Sequence, residues 1–356
     1  MNVNRILEAH KADPVDRLRS FMIDWWQGIK LDAMLAPFET QDNFFIASKI
    51  IEDPAELAGL NPFAPVMPIN SALNAIDFIT ERTGQRVAVF MKPCELRAFT
   101  ELKKRKALTF NNDEVIIIGV DCLGTYSRKE FASLVEASDS ASVTTEVLRN
   151  AAEGGLRPQH FRMACQICEW PGPKGADVTF GIIGVNSEKF LLLIVKDEET
   201  DEQLGISPLT DCKASEYQVS HREVVVGAIA DTRADMREHF FENDGGTRRF
   251  NELGSFLAWM ASCSLCGRCL NACPHYRGEF RGKFGRVLDG KTDRHVLSEL
   301  VNLGRWIASC TGCGMCEQAC DRDVPLTLLL SSLSHHIRAE LNYCPGDPLQ
   351  QIPWQY

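Results

Sequence analysis

Arg86-Val-Ala-Val-Phe-Met91-Lys92-Pro93-Cys94-Glu95 and Val115-Ile-Ile-Ile-Gly-Val120-Asp121-Cys122 decide the fold. Each holds a short apolar run rich in β-branched residues, the pattern of a strand buried on both faces. Between the two runs Leu96, Phe99, Leu102 and Leu108 recur at helical spacing. Most of Lys103, Lys104, Arg105 and Lys106 then face outward. Strand, helix, strand is a βαβ unit, which predicts parallel pairing and a right-handed crossover. Both strands end in a cysteine, at the edge of an open α/β sheet where ligands bind.

Downstream, a helical segment from Ala141 to Glu153 precedes Cys165-Gln-Ile-Cys168. Cys94, Cys122, Cys165 and Cys168 together could close a metal cluster. The spacing equally suits a redox dithiol or buried free thiols. Val178 to Gly184 and Phe190 to Val195 flank Asn186-Ser187-Glu188, a hairpin signature. Asp197 to Glu202 reads as a solvated acidic loop. Val219 to Ile229 reads as a further strand. Asp231 to Glu242 reads as a charged helix closed by Asn243-Asp-Gly-Gly246. A domain boundary is expected there, dividing the chain into residues 1–245 and 246–356.

The second part carries Cys263-Ser-Leu-Cys266-Gly-Arg-Cys269-Leu-Asn-Ala-Cys273-Pro274 and Cys310-Thr-Gly-Cys313-Gly-Met-Cys316-Glu-Gln-Ala-Cys320. Both read C-x2-C-x2-C-x3-C, which wraps three thiolates around one 4Fe–4S cube and sends the fourth to the other cube. This assigns Cys263, Cys266, Cys269 and Cys320 to one cluster, and Cys310, Cys313, Cys316 and Cys273 to another. A zinc site needs only four ligands in all, usually as two C-x2-C pairs. Asp321, not proline, follows Cys320. The apolar residues Val296, Leu297, Leu300, Val301, Leu303, Trp306 and Ile307 between the runs recur at helical spacing. The module resembles the helical ferredoxin modules of heterodisulfide reductase and succinate dehydrogenase. The fold class expected is an α/β domain with a parallel-containing sheet, followed by a mainly α-helical dicluster ferredoxin domain.

Upstream, Asp13 is an N-cap and Pro14 suits the first helical turn. Val15, Leu18, Met22, Trp25 and Trp26 share one face of that helix, with the Trp pair read as core or as a contact between subunits. Phe44 to Ile51 reads as a strand and Asn61 to Pro68 as a loop. Asn70 and Ser71 cap a helix running to Arg82. Net charge is -10, which argues against nucleic acid as a partner. No apolar run is long enough for a transmembrane segment. Fourteen cysteines without an export signal point to a reducing compartment, the cytoplasm. The tail from Asn342 is Pro-rich and is expected to dock on a partner.

At Lys92-Pro-Cys-Glu-Leu-Arg-Ala98, Ile118-Gly-Val-Asp-Cys-Leu-Gly-Thr125 and Cys165-Gln-Ile-Cys168 with Ala176-Asp177, the chain resembles a known family. This is the family of beta subunits of coenzyme F-420-reducing hydrogenase and deazaflavin-linked formate dehydrogenase. The resemblance implies an iron–sulfur flavoprotein of the cytoplasm, a subunit of an oxidoreductase complex. FAD would exchange hydride with a deazaflavin, and Cys94, Cys122, Cys165 and Cys168 would hold a third 4Fe–4S cluster. It implies Asn70, Ser71, Lys92 and Asp121 beside the flavin. The partner implied is a formate dehydrogenase, a hydrogenase or a heterodisulfide-reductase-like electron-bifurcating subunit. Many members carry a double-glycine turn where this chain has Pro68-Ile-Asn-Ser71. That departure keeps an alternative open: a non-catalytic wiring and docking subunit, with clusters only and no hydride substrate.

Overall fold

The computed structural model describes residues 2–10, 12–40, 46–111, 113–156, 160–242, 253–277 and 293–354. One eight-stranded mixed sheet organises the first part. Its strands are β1 (Val3–Glu8), β2 (Ala33–Glu39), β3 (Ile46–Ile51), β4 (Val87–Met91), β5 (Val115–Val120), β6 (Val178–Gly181), β7 (Phe190–Val195) and β8 (Cys212–Lys213). They lie in the order β3-β2-β4-β5-β6-β7-β1-β8. The central β2, β4, β5 and β6 pair in parallel, and the remaining pairs are antiparallel.

The βαβ unit forms as expected, with β4 and β5 joined by α3 (Pro93–Arg105). All five β4 residues are buried. Val87, Val89 and Met91 face α2 (Ala72–Glu81) and α3. Ala88 and Phe90 face the opposite layer. That layer is α1 (Pro14–Ile29), α4 (Arg128–Ala137) and α5 (Ser140–Ala152). Asp13 caps α1 by accepting the Val15 amide at 2.8 Å. Trp25 and Trp26 are core residues, and the Trp25 indole N–H donates to the Leu204 carbonyl at 2.9 Å.

The hairpin of β6 and β7 forms as read. Two other expectations are corrected. Asp197 to Glu202 is not a loop: Asp197 accepts the Thr200 amide at 2.8 Å and caps α7 (Glu198–Leu204), which Gly205 ends in the left-handed conformation. Val219 to Ile229 is not a strand. It lies within the 27-residue helix α8 (Glu216–Glu242). Ser215 and Gln218 start that helix reciprocally: each side chain meets the other's backbone N–H. Strands β1 and β2 have no counterpart among the expected elements. Residues 41–45, and the Asn243 to Gly246 boundary, lie outside the described residues.

The described helices beyond are α9 (Leu253–Ser262), α10 (Arg268–Ala272), α11 (Asp293–Ala308), α12 (Met315–Gln318) and α13 (Leu326–Leu341). After α13 the tail packs against α3 of its own chain. The Tyr343 hydroxyl donates to Glu101 Oε2 at 2.5 Å, and the Gly346 amide donates to the same oxygen at 3.0 Å. Lys104 Nζ donates to the carbonyls of Asp347 and Gln350, each at 3.1 Å. Arg105 binds Glu101 Oε1 at 3.0 Å and lies over the Trp354 ring. Lys104 and Arg105, two of the four basic residues of which most were expected to face outward, are thus turned onto the tail.

Candidate metal centre

The ends of β4 and β5 do converge. Cys94 stands in the first turn of α3 and Cys122 just past β5. Cys165 lies in the short helix α6 (Met163–Gln166) and Cys168 two residues beyond it. (In chain order α6 falls between α5 and β6.) All four line one cavity with Arg162, Arg233, Gly312 and Cys313. The second cysteine run of the C-terminal part therefore meets the N-terminal quartet directly.

Electrostatics show the same grouping. Burial pushes the Cys94 thiol well above its usual value, and Glu95, Cys122, Cys313 and Cys168 push it further. Burial takes Cys122 up to about 11, opposed by Lys92 and helped by Cys165 and Cys168. Cys165 goes the other way. Burial resists, but the Arg162 guanidinium and two hydrogen bonds from Thr125 hold it low. Cys313 is pushed up to about 12 by burial, with contributions from Cys273 and Cys310. Burial raises Cys316 as well, and Cys310, Cys313 and Cys273 add to it. Cys269 is raised by burial and feels Cys320, Cys263 and Cys266. Thiols of each expected set thus feel one another, and Cys94 also feels Cys313 of a different set. Buried thiols that raise one another's pKa suit a cationic metal centre, which draws thiolates and removes the repulsion. The donor set fits iron–sulfur clusters on that ground. Among the described residues no three His, Cys, Asp or Glu side chains converge as ligands of a single ion would.

The two runs share a backbone device. The residue before each second cysteine is left-handed, Leu265 at φ 54° and Gly312 at φ 71°. The residue after it is left-handed too, Gly267 at φ 70° and Gly314 at φ 68°. Gly314 is also sterically required. A Cβ there would lie 2.4 Å from the Ala164 Cβ. Gly314→Ala is expected to cost about 2–4 kcal/mol, from the strained backbone plus overpacking. Gly267→Ala meets nothing within 4 Å and should cost about 1–2 kcal/mol. Anaerobic melting of both variants checks the difference.

The contacts of Arg97 and Trp306 carry no sequence signal, whereas Met315 and Arg268 lie inside the cysteine runs themselves. Arg97 donates to the Thr311 and Pro345 carbonyls, both at 3.1 Å. The Trp306 indole N–H points at Cys273 Sγ, 3.3 Å away. Met315 is buried. Arg268 reaches across the runs to Asp321 at 3.0 Å, where a ferredoxin would have proline.

The flavin-side residues are engaged internally. The Ser71 amide and hydroxyl both donate to Glu95 Oε1, at 3.0 and 2.8 Å. The other Glu95 oxygen accepts the Lys92 amide at 2.9 Å. A buried carboxylate of this chain thus takes the anion position at the N-terminus of α2. Asn70 Oδ1 accepts the Ala72 amide at 3.1 Å. Lys92 Nζ donates to the carbonyls of Pro62 and Ala64, at 2.9 and 3.1 Å. Asp121 pairs with Arg222 and accepts the amides of Ile182 and Ile183. As arranged here, these residues do not fit a flavin phosphate.

Residues 259–324 match the family described as a 4Fe-4S dicluster domain. Residues 84–205 match the family described as the C terminus of the coenzyme F420 hydrogenase/dehydrogenase beta subunit. The chain is an iron–sulfur protein related to such beta subunits. F420-dependent formate dehydrogenase 1 subunit beta of Methanococcus maripaludis is 24% identical over 215 residues, 53% of this chain and 54% of that protein. F420-dependent formate dehydrogenase subunit beta of Methanocaldococcus jannaschii is 24% identical over 303 residues, 74% of each. The match thus spans about half of one relative and three quarters of the other. Among solved structures, a chain of the F420-reducing [NiFe] hydrogenase complex from Methanosarcina barkeri aligns with 67% of this chain and 91% of its own length. The TM-score is 0.45 and the identity 12%. Among the described residues no helix is long and apolar enough to cross a membrane.

Proposed function

We propose that the chain is an electron-wiring subunit of a cytoplasmic redox complex, holding three 4Fe–4S clusters. Cys94, Cys122, Cys165 and Cys168 hold one. Cys310, Cys313, Cys316 and Cys273 hold the second, and Cys263, Cys266, Cys269 and Cys320 the third. Bound clusters supply reversible one-electron exchange. The chain's residues fix the ligands, leaving the eight cysteines of the first two sets half-buried and Cys263 and Cys266 of the third exposed. The partner is a catalytic or electron-bifurcating subunit: a formate dehydrogenase, a hydrogenase or a heterodisulfide-reductase-like protein. The observation that carries this reading is the shared cavity in which Cys313 joins the N-terminal quartet.

A second reading keeps FAD and hydride exchange with a deazaflavin, and a different part of the molecule favours it. A cavity of about 520 Å³ opens beside Cys165, lined by Leu123, Phe161, Val225 and Ile229 together with Gln166 and Arg233. Anaerobic iron and flavin quantitation on the isolated chain separates the readings. About twelve irons without flavin is the expected result. About twelve irons with one FAD would establish the second reading instead. About eight irons would sink the N-terminal ligand assignment.

A further inference from the structure

Arg162 occupies the seam between the N-terminal quartet and the second C-terminal set. Its Nε donates to Thr125 Oγ1 at 2.9 Å. One terminal nitrogen lies 3.8 Å from Cys165 Sγ, and the other donates to the Cys313 carbonyl at 3.3 Å. The Thr125 amide also donates to Cys165 Sγ, at 3.3 Å, and the Thr125 hydroxyl lies 3.4 Å from that sulfur. The guanidinium is therefore fixed by a hydroxyl and a carbonyl, with its charge against one sulfur. The packing leaves it little freedom, because Gly314 abuts Ala164, two residues along from Arg162.

A fixed cation in a water-poor site acts strongly on nearby charge. Hydrogen bonds to ligand sulfurs and local charge are the protein's means of setting cluster potential. The other cations at this seam are placed differently. Arg233 donates to the carbonyls of Leu123 and Cys168, and Arg97 to those of Thr311 and Pro345. Arg162 spans both cysteine sets.

We propose that Arg162 is a positioning residue that makes the Cys94–Cys122–Cys165–Cys168 site the easier one to reduce and ties that site to Cys313. This rests on the three-cluster reading above. Arg162 lies outside the cysteine motifs, and its role follows from contacts to two segments, 37 and 151 residues away.

The test is an EPR-monitored redox titration of the isolated, cluster-loaded chain, with iron quantitation of every sample. Wild type with about eight irons would defeat the three-cluster reading, independently of Arg162. Given about twelve, Arg162→Gln is expected to keep its iron and to make one cluster at least tenfold harder to reduce. That is a fall of about 59 mV for a one-electron couple. Arg162→Lys, which keeps the charge and loses the fork, should recover most of the shift. Arg162→Gln with full iron and unchanged potentials overturns the proposal. If Arg162→Gln loses iron, Arg162→Met, which also removes the charge, decides: iron retained with one cluster at least tenfold harder to reduce supports the role, and unchanged potentials or a second loss of iron overturn it.

Discussion

Glu101→Ala is expected to destabilise the chain by about 3–5 kcal/mol, the cost of removing one partner from a buried ion pair. The Glu101 side chain is fully buried and that of Arg105, its partner, is 2% exposed. The carboxylate also accepts from Tyr343 and Gly346, and Lys104 stands 3.3 Å away. Removal takes the compensating carboxylate from two cations and the acceptor from the Tyr343 hydroxyl and the Gly346 amide. Anaerobic melting or urea unfolding reads the loss. Iron content reads whether the seam opens with it. The same carboxylate gives the fold an acid limb. Burial alone would raise its pKa, but Tyr343, Lys104, His275 and Arg105 together hold it below the usual carboxylate range. A folded pKa below the unfolded one stabilises at all pH above the ordinary carboxylate value. That stability drains away as pH falls through the ordinary value toward the folded one. Glu101→Gln should flatten this part of the stability–pH profile. An unaltered acid limb would show that other groups carry it.

Asp121→Ala is the second large effect, again about 3–5 kcal/mol. Asp121 is fully buried, pairs with Arg222 and accepts two backbone amides. It thereby fastens α8 to the sheet. Because Asp121 and Arg222 share one interaction, Asp121→Ala with Arg222→Ala should cost less than the sum of the two single changes. A side chain that served flavin alone would behave oppositely. Its loss would empty the flavin and leave the melting temperature in place.

The cysteine runs were legible because covalent chemistry fixes their spacing whatever surrounds them. The βαβ core was legible because strands buried on both faces leave continuous apolar runs, as in Val115 to Val120. Val219 to Ile229 misled because Val224-Val-Val226 favours strands locally. The helix is carried by Val225, Ile229 and Arg233 at four-residue spacing and by the Ser215–Gln218 cap. Strand β2 was hidden by Pro37 within it and is held by its neighbours β3 and β4. The role of Glu95 was out of reach for another reason. Its two oxygens cap two helices at once, and only one of those caps is local in sequence. The contacts of Arg97, Arg162 and the tail join residues well over a hundred positions apart, a distance no local pattern encodes.

The strap that Tyr343 makes to Glu101 bears on timing. It closes a span of 242 residues. Contacts of such separation repay the entropy of ordering the chain only after the intervening segments have settled. During synthesis α3 and Cys94 are therefore made long before the segment that pins them to the second cysteine run. A cluster proposed for the N-terminal quartet would thus have a window for insertion before the seam shuts, set by the direction in which the chain is made.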